Sequence, residues 1–107
     1  MNVLFICGQN RLRSPTAEQV FAGHPGIACA SAGLKHDSDN PLTEELVSWA
    51  ELIFVMEKAQ RTKLQEKFRA QLYDKRVVCL NIPDKYRYMQ PELVALLEKK
   101  VTPHLPD

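Results

Sequence analysis

The stretch from Val3 to Phe21, VLFICGQNRLRSPTAEQVF, runs a short apolar segment into a polar turn and then into an amphipathic segment. Its opening residues have strand length and β-branched and aromatic content. Ser14 followed by Pro15 is a helix start signal, with Ser14 as the N-cap and Pro15 at the first helical position. Ala17, Val20 and Phe21 form an apolar stripe, and Gly23 can stop the helix. Residues 7 to 14 are thus predicted to be a loop between a strand and a helix N-terminus. Such a loop aims several backbone N–H groups at one spot, where the helix dipole adds roughly half a positive charge. Phosphate is a natural guest, and the planar guanidinium of Arg13 suits two phosphoryl oxygens held in parallel. A thiol in that field, at Cys7, is favoured in its ionised, nucleophilic form. Ser14 can donate to that sulfur or serve as the N-cap.

Outside this stretch the pattern repeats. Apolar runs at Asn2–Ile6, Ile27–Ala32, Glu51–Met56 and Arg76–Leu80 alternate with amphipathic segments. Helices are predicted from Ser14, from Asn40-Pro41, over Lys58–Tyr73 and from Pro91, with loops over Gly33–Asn40 and Asn81–Gln90. This alternation predicts an α/β three-layer sandwich on a four-stranded parallel sheet of flavodoxin-like order 2-1-3-4. In that order the sheet reverses direction beside the first strand, and Cys7 falls at the resulting crevice. A length of 107 residues suits one domain over 1–107.

A formal net charge of +1 provides no general attraction for nucleic acid or a membrane surface, so anion binding has to come from local arrangement. The start, Met-Asn and five apolar residues, is too short for a signal peptide or a span, so a cytoplasmic protein is expected. Three cysteines without C-x-x-C spacing argue against disulfides and structural zinc, and His24, His36 and His104 share no ligand spacing. Neither a metal nor a cofactor is expected. Cys29 and Cys79, inside strands, read as core, as does Trp49. Lys58, Arg61, Lys63, Lys67 and Arg69 alternate with acids and amides on one helix and read as a solvated face.

The loop Cys7-Gly-Gln-Asn-Arg-Leu-Arg-Ser14 resembles the C-x5-R-S signature of the low-molecular-weight protein tyrosine phosphatase family. The likeness continues in the "RSP-x-AE" helix start at Arg13–Glu18, in Ser31-Ala32-Gly33 for the strand ending in "SAG", and in Leu52–Met56 for the run ending near "VM". The resemblance implies Cys7 as nucleophile, Arg13 as phosphoryl clamp, Asn10 as holder of a left-handed turn and Ser14 as support for the thiolate. It places phosphate against the loop residues Gly8, Gln9, Asn10, Arg11 and Leu12. The family's general acid is an aspartate in a late Asp-Pro-Tyr loop, for which "IPDKYRYM" offers Asp84, with Tyr86 two residues on. Asp37 and Asp39 in the other loop are rivals for that role.

Three departures stand out. Gln9 occupies the third loop position, where the family has glycine. Leu12 replaces the second loop cysteine, and Lys85 replaces the proline after the acid. The implied reaction is a metal-free phosphomonoester hydrolysis through phosphocysteine, on a phosphorylated protein or a small phosphate ester. Its general acid would be a buried carboxyl. The alternatives are an arsenate reductase-like oxidoreductase, with Cys29 and Cys79 as relay thiols, and a non-catalytic phosphate-binding module. Tyr86 and Tyr88 suit either a wall for a phosphotyrosine ring or a cover for the sheet edge. Arg11 is extra positive charge, suited to an acidic substrate.

Overall fold

The computed structural model describes residues 1–106. A four-stranded parallel sheet is built from β1 (Asn2–Cys7), β2 (Ala28–Gly33), β3 (Leu52–Val55) and β4 (Arg76–Cys79), in the order β2-β1-β3-β4. The helices α1 (Arg13–Phe21), α2 (Glu44–Trp49), α3 (Lys58–Phe68) and α4 (Pro91–Val101) alternate with the strands, and a 3-10 turn follows at Thr102–His104. This is the three-layer α/β architecture and strand order expected from the sequence.

β1 is central because it is apolar on both faces. Val3, Phe5 and Cys7 point into one apolar layer, where Ala17 and Phe21 of α1 meet Leu93, Leu97 and Val101 of α4. Leu4 and Ile6 point into the other, against Val47 of α2 and Leu64 of α3. The period-two alternation of a strand thereby feeds two cores from one run of residues. Phe5 stacks between Phe21 and Phe54, with centroids at 5.8 and 5.4 Å. β2 and β4 are edge strands, so Cys29 and Cys79 are half-buried, Cys29 against the first layer and Cys79 against the second. Trp49 is half-buried against the second layer.

Three helix boundaries differ from expectation. α1 begins at Arg13 with Leu12 as its N-cap, and no side chain caps it. Ser14 is therefore inside the first turn, and its hydroxyl is turned towards the loop instead of the helix end. Pro15 still fits, because a first-turn N–H has no intrahelical acceptor in any case. α2 begins after Thr43, whose Oγ1 accepts from the Leu46 N–H, and not at Asn40-Pro41. The Asn40 side chain instead bonds Ser31 O at 2.7 Å, while Pro41 bridges to Gly33, extending the β2 edge. α3 stops at Phe68; the chain to Asp74 winds in turns that still pack Leu72 on the second layer. Pro91 opens α4 at its first turn, as expected. Among the described residues no helix is long and apolar enough to cross a membrane.

Candidate active site

β1 ends at Cys7, opposite Gly33 of β2, and the chain turns through residues 8–12 into α1. The turn is laced to the segment after β2. Leu34 N–H donates to Cys7 O, Lys35 N–H to Gly8 O and Asp39 N–H to Gln9 O, at 3.0, 3.0 and 3.1 Å. The carbonyls of Cys7, Gly8 and Gln9 are therefore taken up by the segment after β2. Among the described residues, the N–H groups of Gly8, Gln9, Arg11 and Leu12 have no protein acceptor, which leaves a concave set of donors beside Cys7.

Asn10 adopts φ = 56°, the left-handed conformation that asparagine tolerates better than most residues. That turn directs its N–H at Cys7 Sγ, 3.2 Å away, and its side-chain Oδ1 accepts from Ser14 Oγ at 2.9 Å. Ser14 Oγ is also 2.9 Å from Cys7 Sγ. The hydroxyl has only one proton to share. With a thiol, Sγ–H donates to Ser14, which donates to Asn10. With a thiolate, Ser14 donates to sulfur, and the Asn10 amide turned over supplies an N–H to the serine oxygen. The relay thus accommodates both states of the sulfur. Asn10 and Ser14 are almost fully buried beneath the loop.

Arg13 is buried, at 4% exposure, and its Nη1 is fully used by the scaffold. It donates to Glu57 Oε2 at 2.8 Å and to Ile82 O at 2.7 Å. The Nε–Nη2 edge remains, and that edge is the one suited to two parallel bonds to an oxyanion. Asp84 Oδ1 lies 3.8 Å from Nε. Glu57 is also the N-cap of α3, in a reciprocal capping box with Gln60. One carboxylate therefore fixes both the helix start and the guanidinium.

These groups open onto a cavity of about 400 Å³ lined by Cys7, Gly8, Gln9, Arg11, Leu12 and Arg13 from the loop, and by Asp84 from the segment after β4. Gln9 does not need the glycine it replaces, since only Asn10 in this loop has positive φ. The Gln9 Oε1 is buried without a partner among the described residues. Arg11 pairs with Asp39 at 3.2 Å, and Asp37 lines a neighbouring cleft. Of the three candidate aspartates, Asp84 is the one on this cavity. Its carboxylate is 65% exposed, so the expectation of a buried acid is corrected: the loop after β4 runs over the surface. Tyr86 does not reach the cavity; it packs on the first apolar layer with Lys85 Nζ 5.6 Å from its ring centre, and Tyr88 is exposed. All three cysteines are free, and Cys79 packs into the layer opposite Cys7. Burial, and secondarily the Glu18 carboxylate, push the Cys29 thiol up from its ordinary range.

Sequence reasoning missed Glu57, Lys35 and Lys63, which complete the cavity wall. Glu57, directly after the "ELIFVM" run and three residues before Gln60, carried a capping-box signal. Nothing in the sequence singled out Lys35, and Lys63 was expected only on a solvated face.

No protein-family model matches the chain, and no curated protein matches it by sequence. Among solved structures it is similar to tyrosine phosphatase Wzb from Escherichia coli K30 in complex with phosphate, at 21% identity and a TM-score of 0.76, over 96% of this chain and 94% of that one. It is similar to the low molecular weight protein tyrosine phosphatase SP-PTP from Streptococcus pyogenes, at 17% identity and a TM-score of 0.78, over 97% and 90%. A third similar structure, at 23% identity and a TM-score of 0.70 over 92% of each chain, is YwlE arginine phosphatase in a cysteine-to-serine mutant whose active-site serine is phosphorylated. The fold is that of the low-molecular-weight protein tyrosine phosphatases.

Proposed function

We propose that the chain is a single-domain, Cys-dependent phosphomonoesterase of the low-molecular-weight phosphatase type. The observation that carries the reading is the convergence on one cavity of Cys7, the free N–H donors of its loop, the Nε–Nη2 edge of Arg13 and the Asp84 carboxyl.

The ester phosphate sits in the loop, with three oxygens bonded by backbone N–H groups and Arg13. Cys7, as thiolate supported by Ser14 and the Asn10 N–H, attacks phosphorus in line. The S–P bond forms and the ester P–O bond breaks. Asp84 gives its proton to the departing oxygen, so an alcohol leaves rather than an alkoxide. Asp84, now a carboxylate, takes a proton from water as that water attacks phosphorus. The P–S bond then breaks, and inorganic phosphate and the thiolate are released. Phosphorylated proteins and small phosphate esters both fit this chemistry.

The test is p-nitrophenyl phosphate turnover by the wild type, Cys7→Ser and Asp84→Ala, with an alkyl phosphate as the poor-leaving-group control. Cys7→Ser should lose turnover while still binding inorganic phosphate. Asp84→Ala should slow the alkyl ester by about 10²–10⁴, and p-nitrophenyl phosphate by less, since nitrophenolate leaves without a proton. Turnover surviving in Cys7→Ser would overturn the mechanism. An unchanged alkyl rate in Asp84→Ala would move the acid elsewhere.

A further inference from the structure

The mouth of the cavity carries more positive charge than a single phosphate accounts for. Lys35 and Lys63 line it in addition to Arg11 and Arg13. Among the described residues neither lysine side chain has an ion-pair or hydrogen-bond partner. The two are placed by different parts of the fold. Lys35 follows β2, its backbone N–H bound to Gly8 O and its Cε 4.0 Å from the point where a β-carbon on Gly8 would lie. Lys63 is on α3, one turn beyond the Glu57–Gln60 cap.

Leu34, Lys35 and Lys63 also line a second cleft of about 320 Å³, which adds His36, Asp37 and Lys67. The two spaces are neighbours that share Leu34, Lys35 and Lys63 as lining residues. Lys67 Nζ donates to Leu34 O at 3.4 Å, tying α3 to the loop between them. Of the carboxylates nearby, Glu57 is hydrogen-bonded to Arg13 and Asp39 to Arg11, while Asp84 stands 3.8 Å from Arg13 Nε and does not line the second cleft. Among the described residues, Asp37 is the one carboxylate lining the second cleft with its three lysines. Apolar contact in the main cavity comes from Leu12, Leu34 and Ala59, and no aromatic side chain is among its described lining residues. An aryl ester would find no ring to stack on, whereas a second anion would find two free ammonium groups.

Building on the phosphatase reading, we infer that the substrate is a phosphate ester carrying a second anionic group close to the scissile phosphate. Lys35 and Lys63 receive that group, and the second cleft continues its path. A second phosphate on a small molecule and an acidic side chain beside a phosphorylated residue share this chemistry.

The test compares alkanediol bisphosphates of increasing chain length with the matching monophosphates, and phosphopeptides having acidic flanks with peptides having amide flanks. Each pair is measured on the wild type, Lys35→Gln/Lys63→Gln and Lys35→Arg/Lys63→Arg. The kcat/KM ratio of the substrate with a second anionic group to its partner without one should exceed one in the wild type, fall about tenfold in the glutamine variant and survive in the arginine variant. The preference should also weaken with salt. Whichever pair gives the larger ratio identifies the source of the second anion. A ratio that is unity in the wild type, or equal in all three proteins, overturns the inference. Calorimetric binding of inorganic pyrophosphate against inorganic phosphate separates the two readings. Tighter pyrophosphate binding that depends on both lysines, without ester turnover, would keep the subsite and refute the phosphatase. Turnover without that preference would do the reverse.

Discussion

Glu57 Oε2 accepts from Arg13 Nη1 at 2.8 Å, joining the cap of α3 to the guanidinium that rises from the start of α1. The same Nη1 also bonds Ile82 O, so two elements from opposite sides of the sheet hold one side chain and leave its other edge open. The pair is only partly shielded, since the glutamate side chain is 45% exposed; its value lies in orientation more than in stability. Glu57→Gln keeps an acceptor for the helix cap and removes the charge. It should cut kcat/KM for p-nitrophenyl phosphate by about three- to tenfold and shift Tm by only a few degrees. Unchanged kinetics would mean that Ile82 O alone suffices to aim Arg13.

Asn10 combines a left-handed backbone with bonds to both Ser14 and Cys7. Asn10→Ala should destabilise by about 2–3 kcal/mol, the sum of roughly 1–2 for an alanine at positive φ and about 1 for the lost side-chain bond. Asn10→Gly removes the backbone strain and keeps the N–H aimed at sulfur. Denaturant titration should therefore rank the glycine variant between wild type and alanine, and turnover should follow the same order.

Gly33 closes the contact between β2 and the Cys7 loop. A β-carbon there would lie 2.5 Å from Ser38 Cβ and 2.8 Å from Gly8 O. Gly33→Ala must push the loop aside, at a cost of about 1–3 kcal/mol or more, and should lower activity because the shift moves Gly8. Adding Ser38→Gly removes the closest of these contacts and should recover part of the stability. No recovery would place the strain on the Gly8 carbonyl.

Cys29 has its thiol range raised in the fold, first by burial and then by Glu18. The folded chain therefore holds that proton more tightly than the unfolded chain does. Stability should be unaffected below the ordinary thiol range and should decline as pH rises through it. Chemical denaturation from neutral into alkaline pH should show this decline in the wild type and a flatter profile in Cys29→Ala. At neutral pH, iodoacetamide should label Cys29 more slowly than Cys7.

The doubly apolar run Val3–Cys7 determined its own central place in the sheet, because a strand with no polar face has to be covered on both sides. The alternation of runs and amphipathic segments determined the layers, and the spacing from Cys7 to Arg13 and Ser14 marked out the loop proposed to bind the anion. These features are local, and local sequence carries them. The cap of α1 was misjudged because the loop bonds Ser14 to Asn10 and Cys7, and that tertiary partner displaced the ordinary capping role. Only the folded chain brought Lys35, Glu57, Lys63 and Asp84 to one cavity, and only there did Tyr86 turn away from it. Parallel crossovers set neighbouring strand ends side by side in space while leaving them tens of residues apart in the chain. Which distant side chains share a cavity is therefore decided by the stacking of layers and not by any pattern within one segment.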